Sequence, residues 1–125
     1  MNGFTIGQRL PGLNEYTREN RSNAYQGGKF KKNVEIIIDG YISIAISKGM
    51  LRSVENPVVV HFVWHERTRK RDADNIVFAK KFILDALVRK GILKDDSRRY
   101  VIGFRDDVID DEKDYVTIQL VEENQ

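Results

Sequence analysis

Arg67-Thr68-Arg69-Lys70-Arg71-Asp72-Ala73-Asp74-Asn75 joins two kinds of chemistry in one short segment. Four cations run straight into two carboxylates one residue apart. Phosphate binds the cations and a hard metal ion binds the carboxylates. Cutting a phosphodiester needs charge neutralised at the phosphate and a water activated beside it, and Mg2+ does both. Mg2+ takes oxygen ligands and needs only a few carboxylates, with waters and phosphate completing its shell. Asp72 and Asp74 fall where a strand is predicted to give way to a helix. In extended chain, residues two apart project to the same side, which lets both carboxylates converge on one ion. A second pair, Asp95-Asp96, follows after one predicted helix. Asp96 can close the site from another direction, with Asp95 as the alternative. An Asp-x-Asp alone is also what a helix cap with a solvated neighbour looks like. The cations before it and the acids after it carry the metal-nuclease reading.

The helix predicted from Asn75 to Lys90 supplies a lysine. At 100° per residue, Asp74, Lys81 and Asp85 fall within ~40° of one another, and Lys80 points about 120° away. Long helical side chains lean toward the N-terminus, so Lys81 leans toward Asp74 and can steady the scissile phosphate. The structural alternative is a surface Lys81–Asp85 pair. Arg67, Arg69, Lys70 and Arg71 are expected to contact phosphates, which positions nucleic acid without reading its sequence. Lys29, Lys31 and Lys32 follow Gly27-Gly28 at the expected start of the first helix, where free backbone N–H groups suit an anion. Asn14, Tyr16, Arg18 and Arg21 belong to a long predicted loop. Tyr16 could stack there on an unpaired base. His61 and His65 share a strand face about 13 Å apart and cannot chelate one ion together. They read as satisfied sheet histidines.

The elements that must position these groups follow from periodicity. Phe4 to Ile6 reads as a short strand. Lys29 to about Lys48 is helical, with Val34, Ile37, Ile38, Tyr41, Ile42 and Ala45 at spacings of three and four and Gly49 at its end. Pro57 opens a strand through His65 that is apolar on both faces, as a central strand is. In the next helix Asp74 is the expected N-cap and Gly91 the stop. Tyr100 to Arg105 and Tyr115 to Val121 alternate like a hairpin around an acidic turn, Asp106 to Asp114. The order β-α-β-α-β-β predicts an α/β or α+β layer, with helices packed on one small sheet.

At 125 residues the chain is expected to be a single domain. It has no cysteine, which excludes a disulfide framework and a thiolate metal site and fits a reducing, cytoplasmic setting. No apolar run approaches the ~20 residues of a membrane span, and no signal-like pattern opens the sequence. The net charge of +2 conceals an asymmetry. Residues 1–52 carry eight Lys/Arg against four Asp/Glu, residues 66–99 eleven against six, and residues 100–125 two against eight. A basic body hidden by an acidic tail suits a polyanion partner.

Arg71-Asp72-Ala73-Asp74-Asn75, then Lys81-x-x-x-Asp85-Ala86-Leu87, then Gly91-x-x-x-Asp95-Asp96, resembles the RusA family of Holliday-junction resolvases. Leu10-Pro11-Gly12-Leu13-Asn14-Glu15-Tyr16 also resembles that family's Pro-x-x-Asn opening. The resemblance extends from Phe4 to Val121. It implies a RusA-like fold, with a small mixed four-stranded sheet and two main helices. It also implies a homodimer that nicks opposed strands of four-way DNA with Mg2+. The matching acids are Asp72, Asp74 and Asp96, and the matching lysine is Lys81. The sequence departs from the family by what looks like a three-residue insertion between Asn75 and Lys81, which keeps Lys80 as the alternative. A homodimer has its own rationale: a four-way junction is pseudo-twofold, and paired cuts call for a C2 pair of sites. The Val34, Ile37, Ile38, Tyr41 stripe is a candidate interface or simply core. A flap or branched-duplex nuclease, and a non-catalytic DNA-binding or scaffold protein of the same fold, are the competing readings.

Overall fold

The computed structural model describes residues 1–123. Its elements are β1 (Gly3–Ile6), α1 (Leu13–Ser22), α2 (Ala24–Ser47), β2 (Val58–Glu66), α3 (Ala73–Val77), α4 (Lys80–Arg89), β3 (Val101–Asp110) and β4 (Tyr115–Glu122). The four strands form one mixed sheet in the order β1-β4-β2-β3. β2 lies parallel to β3 and antiparallel to β4, and β4 lies antiparallel to β1.

β2 is central because neither of its faces or edges can be left to water. Val58, Val60, Phe62 and Trp64 point into the core, and Val59, His61 and Val63 are half-buried on the other face. The inward row meets Phe4 and Ile6 from β1 and Val116, Ile118 and Leu120 from β4. Over it pack Val34, Ile38, Ile42 and Ala45 of α2 and Phe82, Ile83, Ala86 and Leu87 of α4. Most of the α2 stripe considered as an interface is therefore core, with Val34 and Ile38 buried and Tyr41 packed against them.

The expected β-α-β-α-β-β order needs correction in three places. First, β3 and β4 are not a hairpin. β2 lies between them, so both of its edges are paired. β3 also runs on to Asp110, through most of the stretch expected to be a turn. The link crosses the end of β2, where the Asp111 N–H donates to the Glu66 carbonyl at 3.0 Å. Second, the N-terminal loop is largely helix. α1 was hidden by a polar composition, although Glu15 signals its start by accepting the Gly12 N–H at 3.3 Å. α2 then begins at Ala24, capped by the Asn23 side chain, which accepts the Gln26 N–H at 2.7 Å. Gly27-Gly28 lies inside α2 and not before it. Third, the helix after β2 is broken in two at Phe78-Ala79. The carboxyl ends of α2 and α4 behave as expected: Gly49 and Gly91 have φ of 72° and 76°, the left-handed conformation that ends a helix.

Candidate metal and nucleic-acid site

The segment from Arg67 to Asn75 leaves the end of the central strand and starts α3. Asp72, not Asp74, is the residue at the helix boundary, in extended conformation with φ −69° and ψ 154°. Its carbonyl accepts the N–H groups of Asn75 and Ile76, each at 3.1 Å. Its carboxylate makes no capping bond and stays exposed. Asp74 lies in the first helical turn, exposed, accepting only the adjacent Asn75 N–H at 2.9 Å. Because the chain changes from extended to helical between them, the same-side argument for an extended strand does not apply to this pair.

The helix break also removes the continuous 100° count from Asp74 to Lys81. Between α3 and α4 the N–H groups of Ala79, Lys81 and Phe82 each reach back three residues, a tighter winding than an α-helix. Lys81 and Lys80 nevertheless both line a cleft of about 300 Å3 with Asp85 and Asp96, walled by Val77, Phe78, Leu84 and Phe104. Asp72 and Asp74 are not part of that lining. Among the described residues, no three His, Asp or Glu side chains sit close enough together to hold a metal ion.

Asp72, Asp74 and Asp96 share the lack of a cation partner with other acids, Asp85 and Asp114 among them. They enter no ion pair among the described residues. Asp106, Asp110, Asp111, Glu15 and Glu66 all do. Asp95 is engaged locally: the Ser97 hydroxyl and then the Ser97 N–H, at 2.7 Å, hold its carboxyl below the usual carboxylate range. Asp96 is the member of that pair which lines the cleft. The two lysines separate in the same way. Lys80 binds Asp106 and lies over the Phe104 ring, 4.4 Å from its centroid, while Asp106 also accepts the Trp64 indole N–H at 2.9 Å. Lys81 is exposed and has no carboxylate partner among the described residues.

The expected phosphate contacts divide. Arg71, although in the cationic run, points inward. It forms a two-pronged pair with Glu66 at 2.8–2.9 Å and donates to the Leu10 carbonyl at 2.9 Å, with both charged side chains only 10% exposed. Its guanidinium is spent on holding the N-terminal segment to the end of β2. Arg69 is exposed and pairs with Asp110, which raises the guanidinium pKa and lowers that of the carboxylate. Among the described residues the Arg67 and Lys70 side chains are exposed and pair with no carboxylate; the Arg67 backbone N–H donates to Asp114 at 2.7 Å.

Asn75 locks the same corner from inside. It is buried, and its side-chain oxygen accepts the Asn14 N–H at 2.8 Å. Gly12 packs so closely there that a Cβ would lie 2.5 Å from that oxygen and 2.8 Å from the Asn75 carbonyl. The Pro11-Gly12-Leu13-Asn14 opening is thus bolted onto the acidic segment. Asn14 and Arg18 line a shallow cleft of about 520 Å3 with Thr17, Arg21 and Ser22. Tyr16 does not face out to a base. It packs among Phe30, Phe78 and Phe82 with centroids 5.5–6.0 Å away. Lys29, Lys31 and Lys32 are exposed on α2 but lie beyond its first turn, so they do not mark a helix N-terminus.

A family model for the endodeoxyribonuclease RusA matches residues 12–120. The chain belongs to the RusA family. No individual curated protein matches it. RusA membership implies an endonuclease acting on branched DNA, and the matched span contains every acidic and basic residue of the site. Three contributors to the RusA-type corner escaped sequence reasoning. Glu66 continues the inward row Val58, Val60, Phe62, Trp64, and a carboxylate on a buried face requires a cation, so its pairing was readable. The buried role of Asn75 and the Asp106 clasp on Lys80 depend on long-range packing, and no local signal announces them. His65 is satisfied as expected: its Nδ1 meets Asp111 at 2.9 Å, and its ring stacks on Tyr115 at 3.7 Å.

Proposed function

We propose that this protein is a Mg2+-dependent endodeoxyribonuclease that resolves Holliday junctions by paired nicks, as a homodimer, in DNA recombination and repair. The observation that carries the reading is the RusA family match over residues 12–120, within which Asp72, Asp74 and Asp96 are acids without a cation partner among the described residues. The donors are hard oxygens without competing cation partners, which fits a hard divalent ion. Asp72 and Asp74 would hold it, and Asp96, in the cleft of Lys81, is the third acid proposed for the ion. A bound Mg2+ neutralises the phosphate and supplies an activated water. Lys81 lies free in the Asp96 cleft and stabilises charge developing on the scissile phosphate. Arg67 and Lys70 bind flanking phosphates and hold the strand in place.

The test is cleavage of a synthetic four-way junction beside a linear duplex of the same sequences. The expected result is paired symmetric nicks in the junction alone, lost in EDTA. Asp74→Asn should reduce cutting by on the order of 10²–10³-fold or more while junction binding persists. Equal cutting of both substrates would remove junction selectivity and leave a nuclease of another preference. Tight binding without cutting under any divalent ion would make this a binding protein.

A further inference from the structure

Asp110, Asp111, Glu112 and Asp114 sit where β3 gives way to β4. Beside a run of phosphate-binding cations, acids are expected to repel the ligand. Their contacts show what three of them are used for. β3 and β4 flank β2, with Asp110 level with Glu66 and Tyr115 level with His65. The turn between them therefore passes over the end of β2, at the point where the chain leaves as Arg67.

There the turn grips the departing segment. The Asp111 N–H donates to the Glu66 carbonyl at 3.0 Å. The Asp111 carboxylate meets His65 Nδ1 at 2.9 Å and accepts the Tyr115 hydroxyl at 3.2 Å, which braces the turn on β2 and β4. Asp114 Oδ1 accepts the Arg67 N–H at 2.7 Å. Arg69 then turns back to Asp110. Further along, the Arg71 side chain is anchored to Glu66 and to the Leu10 carbonyl.

We propose that Asp114 is a positioning residue for the phosphate-binding run. By holding the Arg67 backbone it sets where the Arg67 side chain projects from the end of the central strand. The inference rests on the reading of Arg67 as a phosphate contact. A backbone N–H bonded to a carboxylate makes a charge-assisted hydrogen bond, stronger than a neutral one. With Asp114 at one end and the Arg71 anchor at the other, the run is ordered before DNA arrives, which lowers the ordering cost of binding.

This role reverses the sign that charge alone gives. If Asp114 only repels phosphate, deleting it tightens the complex. If it positions Arg67, Asp114→Ala weakens the complex although a negative charge has gone. Asp114→Asn removes the same charge but keeps a side-chain oxygen for the Arg67 N–H, so it should bind at least as tightly as the wild type.

The experiment is titration of a fluorescent four-way junction with the full chain, in EDTA so that nothing is cut, over a series of salt concentrations. Thermal melts check that each variant is folded at the assay temperature. D114A should raise the dissociation constant on the order of three- to tenfold and flatten the log–log salt slope by ~1, as the loss of one phosphate contact does. In an Arg67→Ala background D114A should add nothing, because two residues acting through one contact are not additive. A folded D114A chain that binds as tightly as the wild type, or more tightly, overturns the proposal. So does a D114N chain as weak as D114A, or a D114A effect undiminished without the Arg67 side chain. A wild type that cuts junctions while D114A keeps full affinity sinks this role alone. A wild type that obeys these relations but cuts nothing under any divalent ion keeps Asp114 in place and sinks the nuclease reading.

Discussion

Neighbouring residues of the same type do different work in this protein. Lys80 and Lys81 are adjacent in sequence, but Asp106 claims the first and the second stays free. Lys80→Ala should cost stability, about 1–3 kcal/mol for stripping a partner from a part-buried carboxylate. It should leave the chemistry largely intact. Lys81→Ala should leave the urea midpoint unchanged and lower the junction-cutting rate ~10²-fold. Single-turnover cleavage and urea titration of both variants separate the roles, and a reversal would transfer the catalytic part to Lys80. Arg71 and Arg69 divide similarly. Arg71→Ala strands Glu66 in the interior and should cost ~3–5 kcal/mol by urea unfolding. Arg69 is almost wholly exposed and its loss should barely register in that assay. The sequence displayed both arginines in one basic run, and nothing in that run distinguishes the buried one. The distinction lay instead in Glu66, sitting on a row of core residues.

At the scale of elements, the strands and main helices were legible because their periodicities are strong. β2 betrays itself by apolar residues on both faces, and α2 by its three-and-four spacing. α1 was not legible because its faces are polar and it is held by two capping contacts and the Tyr16 ring. The break between α3 and α4 was equally silent, since Ile76, Val77 and Phe78 suit a helix. It matters because it frees the acidic segment from the rotation of α4. Asn75 and Lys81 flank this break, so Lys81 reaches its cleft through the tight turn at Phe78-Ala79. Within the corner, Asn75 joins α3 to α1. Asn75→Ala leaves the Asn14 N–H without its partner and should cost about 1–3 kcal/mol. Amide hydrogen exchange should report that loss first in α1 and the Leu10–Leu13 segment. Uniform loss of protection across the sheet would show that this contact does not act locally.

The whole molecule sets its response to salt and acid. With Arg67 and Lys70 on phosphates, junction affinity should fall steeply with salt, and Arg67→Ala or Lys70→Ala should each flatten the log–log slope by ~1. A variant with the wild-type slope would remove that side chain from the DNA contacts. On the acid side, Asp110 and Asp111 are held below the usual carboxylate range, Asp110 by Arg69 and Asp111 by the Glu112 N–H and then His65. Their contribution to stability is full above about pH 4 and is lost as pH falls through their lowered values. Asp111→Asn should therefore lose less stability than the wild type between about pH 7 and about pH 3, as measured by urea midpoints. A helix long and apolar enough to cross a membrane is absent among the described residues. The sheet order carries a last consequence, for synthesis. β1 pairs only with β4, and β4 separates it from the rest of the sheet. A ribosome making this chain at about 5–20 residues per second must release Tyr115–Glu122 before the first strand has a strand partner. Until then β2 lacks one flank, and the nascent chain cannot complete its sheet.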